Sequence, residues 1–146
     1  MSATTAFATN ILGLLFTNVN HANVGDATGL RSSSTAGVFY LSLHDGTPGV
    51  GGGQATNETV YTNYARQDEA RSTAQWTVTS GVCDNDNEIA WPACGATGDN
   101  LDYIGIGSDV SGAGNLFLFG ALTTARAIAS GATPTIAAGA LDIACS

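Results

Sequence analysis

From Val38 onward the chain is a succession of short apolar or alternating segments, each cut off by glycine, proline, asparagine or aspartate. That punctuation leaves no stretch between strands long and apolar enough for a crossover helix, so a parallel α/β arrangement is excluded. The segments Val38–Leu43, Tyr64–Arg71, Trp76–Thr79, Asn87–Trp91, Leu101–Ile106, Leu116–Phe119, Ala125–Ala129, Thr135–Ile136 and Ala140–Ala144 read as strands. This pattern predicts an all-β domain of the β-sandwich or jelly-roll kind. Gly105 and Gly107 suggest a bulge or a close backbone approach. Residues 3–19 are the exception: Phe7, Ile11, Leu14 and Leu15 recur at helical spacing, with Thr4 or Thr5 placed to cap the start. The organisation expected is an N-terminal helical arm (1–20), a polar connecting loop (21–36) and a β-domain (37–146). The arm either packs on the domain's own sheet or docks on a neighbouring subunit.

The stretch from Gly37 to Arg71 carries the most information. A buried-looking strand, Val38–Leu43, breaks at His44-Asp45-Gly46, crosses Gly51-Gly52-Gly53 and resumes near Tyr61. Such a long glycine-rich connection reads as a flexible tether whose business lies outside the core. The segment 20–36 has no period either, and its length suggests that it meets a partner.

Charge narrows the function classes. The chain has four Lys plus Arg, all arginine, against twelve acidic residues, for a net charge of −8. Phosphate neutralisation needs clustered cations, so nucleic-acid binding is disfavoured, and a polybasic membrane anchor is excluded. No window approaches the roughly 18 apolar residues of a membrane span. The N-terminal apolar run lacks a preceding positive charge and a cleavage site, which argues against a signal peptide and for synthesis in the cytosol. Three cysteines, Cys83, Cys94 and Cys145, leave two readings open. Cys83 and Cys94 flank a short segment that a disulfide would close, or all three are thiols.

Candidate chemistry is thin. His44 and Asp45 are sequence neighbours that a strand points to opposite faces, and Asp45-Gly46 is ordinary turn chemistry. Asp84, Asp86 and Glu88 alternate like calcium ligands, but Ile89 stands where the loop needs glycine. A solvated acidic face fits them better. With no lysine there is no P-loop. Arg66 and Arg71 are rare enough that each should have an assigned acidic partner or a bridge to a neighbour.

Read together, Leu43-His44-Asp45-Gly46-Thr47-Pro48, Asn57-Glu58, Tyr64-Ala65-Arg66-Gln67, Asn87–Pro92, Tyr103–Ile106, Gly114–Phe117 and Gly139–Ile143 occur in an order that resembles a broad family of tailed-bacteriophage virion structural proteins. The resemblance spans nearly the whole chain. It implies a structural, non-enzymatic protein without a cofactor, made in the host cytoplasm and carried in the virion. Some members resemble cement or decoration proteins, and on that analogy the chain would sit on the capsid surface. It would bridge major capsid protein subunits, as a homotrimer. Contact residues would then be Phe7, Leu14 and Leu15 on the arm, Asp45, Pro48, Asn57 and Glu58 around the glycine loop, and Tyr64 with Arg66. The alternative is a tail-fibre or baseplate protein that recognises the host surface, with Trp76 or Trp91 beside Asp84 and Asp86 as a glycan platform.

Overall fold

The computed structural model describes residues 2–22, 24–25 and 29–144. In chain order the elements are α1 (Thr5–Phe16), β1 (Val38–His44), β2 (Gln67–Ala70), β3 (Trp76–Thr79), β4 (Val82–Asn85), β5 (Ile89–Ala90), β6 (Asp99–Gly107), β7 (Leu116–Ile128), β8 (Thr135–Ile136) and β9 (Ile143–Ala144). The strands form a four-stranded sheet in the order β2-β1-β6-β7, a three-stranded sheet β3-β4-β9 and a two-stranded β5-β8 ladder. The all-β class with one short N-terminal helix is what the punctuation of the sequence implies. The chain forms two compact units, one of Met1–Gly37, Ala70–Ile89 and Ile136–Ser146, the other of Val38–Glu69 and Ala90–Thr135.

In the first unit α1 starts where Thr4 caps it, its hydroxyl accepting from the Phe7 N–H at 3.3 Å. It stops at Thr17, whose N–H and hydroxyl both donate to the Gly13 carbonyl, after which Asn18 turns left-handed (φ 56°). The Arg71 guanidinium donates to the Leu14, Leu15 and Ala36 carbonyls, satisfying helix-end acceptors that would otherwise lack partners. Arg71 is thus a helix cap. The buried stripe is Ala8, Leu12 and Phe16, one position on from the row that the larger side chains suggest. Close approach decides this: Gly81 lies against Ala8, and Phe16 meets Trp76 edge-on at 5.0 Å. Ser80 and Gly81 both have positive φ, so a two-residue turn joins β3 to β4 in the twist that a hairpin prefers. Beyond the helix, residues 18–20 are tied to residues 32–33. Asn18 and Ser33 exchange two hydrogen bonds, and Asn20 accepts from the Ser32 N–H.

In the second unit β1 and β6 pair antiparallel, from Tyr40 opposite Gly107 to His44 opposite Tyr103. Leu41, Leu43, Leu101, Ile104 and Ile106 supply its apolar core together with Tyr61 and Trp91. The run Leu116–Phe119, the most apolar in the sequence, is not a central strand. It opens β7, the edge of the sheet, and Phe117 is 54% exposed. Register shifts fall between Leu101 and Tyr103 and between Ile106 and Gly107, so β6 and β7 carry the bulges that the glycines foretell.

Candidate functional site

The loop after β1 is tied down at both ends. Asp45 N–H donates to the Asn57 carbonyl and Thr59 N–H to the Leu43 carbonyl, while the Asn57 amide donates to the Thr47 carbonyl at 2.8 Å. Asn57 is left-handed, with φ 52°. Within the loop Gly52 N–H reaches the Gly49 carbonyl and Gly53 N–H the Thr56 hydroxyl. The glycine run is therefore a bonded turn and not a slack tether, with Val50 standing clear at its tip.

What holds the loop is a polar network in the interior. The Arg66 guanidinium, 6% exposed, grips Glu58 with two parallel bonds of 2.6 and 2.7 Å and spends its remaining donors on the Asp109 and Gly112 carbonyls. Bonding to Glu58 raises the Arg66 pKa further, so the cation is permanent. Tyr64 donates its phenol to Glu58 at 2.9 Å and accepts the Leu43 N–H; burial, then the Glu58 charge, push its pKa up, which keeps it a donor. Gln54, fully buried, donates to the Tyr40 carbonyl and accepts the Asp109 N–H. Asp99 receives the Thr59 hydroxyl and the Val60 N–H. Two loops, 45–58 and 109–114, are thereby fixed to one frame. Paired charges of this kind orient a backbone more than they stabilise it.

His44 and Ser42 share a face of β1, and both are 0% exposed. Since the Thr56 carbonyl can only accept, Nδ1 carries the imidazole proton and donates at 3.0 Å. Nε2 then accepts the Ser42 hydroxyl at 2.9 Å. The pair has the atoms of a nucleophile and its base, both wholly buried within the second unit. Burial, offset in part by the Thr56 bond and the Glu58 charge, lowers the His44 pKa from 6.5. The unfolded chain therefore takes up this proton at a higher pH than the folded one, so the stability involved is complete above 6.5 and is lost as pH falls below it. Unfolding midpoints in urea should drop between about pH 7.5 and 5.5, with a slope of at most about 1.4 kcal/mol per pH unit for one proton. The variant H44Q should flatten that slope. Parallel slopes in both proteins would show that His44 is not the group responsible.

Of the residues picked out in the sequence, Asp45, Pro48, Asn57, Glu58, Tyr64 and Arg66 do gather in the second unit. Asp45 and Asn57 are exposed, whereas Pro48 and Arg66 are buried, and Arg66 spends its donors internally instead of reaching a neighbour. On α1 in the first unit, Phe7 and Leu15 are exposed and Leu14 half-buried. Trp76 and Trp91 are both core residues, so neither offers a platform for a sugar. Cys83 and Cys94 are buried free thiols, and the disulfide that their spacing allows is not made. Burial and the nearby Asp84 and Asp86 push the Cys83 thiol up to about 12. Cys145 lies outside the described residues. Asp84 is hydrogen-bonded to Asp142, and burial and that partner raise its pKa. Among the described residues no three metal-ligating side chains converge. The sequence reading missed Gln54, Ser42, Asp99 and the 109–112 carbonyls. A lone long amide amid glycines was the one available sign of Gln54.

A family model described as podophage GP4 fiber I protein gp80 matches residues 2–144. The chain belongs to that family. This fibre-family protein is thus a structural component of a tailed-phage virion, in keeping with the ordered motifs from Leu43 to Ile143. No curated protein matches it. Two of those motifs, Asn57-Glu58 and Tyr64–Gln67, supply the carboxylate, phenol and guanidinium of the buried network. Among the described residues no helix is long and apolar enough to cross a membrane.

Proposed function

We propose that this protein is a passive, non-enzymatic module of a tail fibre that presents a rigid surface for attachment to the host. The observation that carries the reading is the family match, which runs from residue 2 to residue 144. Two features support it. The polar side chains with catalytic character are consumed inside the fold, while Asp45, Val50, Asn57 and Val60 are displayed outside it. In addition, a cleft of about 350 Å³ in the first unit is walled by the polar Thr9, Asn10, Thr17, Asn20, Thr73 and Thr77 together with the apolar Val19, Trp76 and Val78. Among the described residues no charged side chain lines it. Hydroxyls and amides without charge suit a neutral, polyhydroxylated ligand such as a sugar chain. No cofactor is required, and the net charge of −8 disfavours nucleic acid and anionic membrane as partners.

A second reading is a cement protein that, as a homotrimer, bridges major capsid protein subunits on the head. The exposed Phe7 and Leu15 on α1 favour it, being apolar surface that the first unit leaves unused. Gold-labelled protein in intact virions distinguishes the two. Label at the tail, together with block of adsorption by the purified protein, is the expected result. Label spread over the head, with loss of DNA at lower temperature when the protein is missing, would replace the fibre reading with the cement one.

A further inference from the structure

β7 is an edge strand whose first limb, Leu116–Ala121, has neither a charge nor a proline to protect it. Natural edges carry lysine, proline or inward charges that discourage another strand from adding. This strand has no proline and no acid, and among the described residues no strand pairs with its outer side. Phe117, Leu118 and Phe119 remain 54%, 38% and 37% exposed. Charge points the same way. All twelve acidic residues lie outside the stretch between Asp109 and Asp142, and the single charge within it is Arg126. A molecule of net charge −8 can thus meet a like-charged copy here without placing carboxylates against carboxylates.

We propose that the outer edge of β7 joins two copies of this chain, antiparallel about a two-fold axis near Phe119. The local sequence is self-complementary in that arrangement. Reading Phe117-Leu118-Phe119-Gly120-Ala121 against itself sets Phe117 opposite Ala121 of the second copy and Leu118 opposite its Gly120. Phe117 and Leu118 each face a small side chain, the alternation that lets two surfaces interdigitate, while Phe119 meets its own counterpart at the axis as an aromatic pair. Space exists for it, since no other residue lies within 4 Å of where a Cβ on Gly120 would stand. Beyond Ala121 the register slips before pairing with β6 resumes at Arg126, so the regular edge is this short limb. Backbone bonds across the edge supply affinity and the side-chain alternation supplies register. An antiparallel pair of identical edges is two-fold and closed, and does not propagate.

Sedimentation velocity on the full chain tests this. Wild-type protein should dimerise in the micromolar range. The variants F119E and F119K should each be more than about tenfold weaker in self-association, because each places two like charges at the axis. An equimolar mixture of the two should recover a dimer. A121E tests the same edge with Phe119 in place and should also be monomeric, and circular dichroism confirms that each variant is folded. The proposal is overturned by a wild-type protein that stays monomeric at about 100 μM, by oligomers indifferent to folded A121E or F119E, or by an odd-numbered assembly.

Discussion

Replacing Arg66 by alanine should cost about 3–5 kcal/mol of folding stability, the range seen when one partner of a buried ion pair is removed. The loss is large because the guanidinium has more than one client. Without it the Glu58 carboxylate keeps only the Tyr64 phenol, and the Asp109 and Gly112 carbonyls lose their donors. Arg66→Lys should recover little, since an ammonium cannot span both Glu58 oxygens and two carbonyls from one planar group. Removing Glu58 as well should cost far less than the sum of the single losses, because the pair then leaves together. Urea midpoints of R66A, E58Q and the double variant measure this. Additive losses, or a loss in R66A below about 1 kcal/mol, would mean that the network does not act as a unit.

A second large effect is expected from a single methyl group. In Gly107→Ala the new Cβ would collide with the Gln54 side chain and with the Asn115 carbonyl, both already committed to neighbours. Overpacking alone costs about 1–3 kcal/mol. Displacing Gln54 would also break its bonds to the Tyr40 carbonyl and the Asp109 N–H, at about 0.5–1.5 kcal/mol each. The sum should be at least about 2 kcal/mol. Gly51→Ala is the control, because a Cβ there meets nothing and the backbone angle is ordinary. It should change stability by less than about 0.5 kcal/mol. Equal melting temperatures for the two variants would show that Gln54 can move aside.

Strand positions were largely legible because they rest on local chemistry. Val38–His44, Trp76–Thr79 and Thr135–Ile136 sit where alternation and turn residues put them. β4 was missed, since Val82-Cys83-Asp84-Asn85 has the composition of a turn and becomes a strand only through pairing on both sides, with β3 and β9. The burial of α1 was misread by one row, because hydrophobicity alone ranks Phe7 above Ala8 and cannot see that Gly81 needs a small neighbour. Within the site, Glu58, Tyr64 and Arg66 stood out by rarity and motif. Their inward orientation did not, for nothing in the local sequence says that the carbonyls awaiting Arg66 lie more than forty residues downstream. Edge and centre are likewise properties of the sheet, which is why Leu116–Phe119 looked like core.

The interleaving of the two units has a consequence for biosynthesis. β4 cannot gain its second neighbour until Ile143 and Ala144 have been translated, although α1 precedes them by more than 120 residues. At about 5–20 residues per second, β4, which ends at Asn85, waits roughly 3–12 seconds for that last strand. During this interval the open edge of β4 is available to the cell's chaperones.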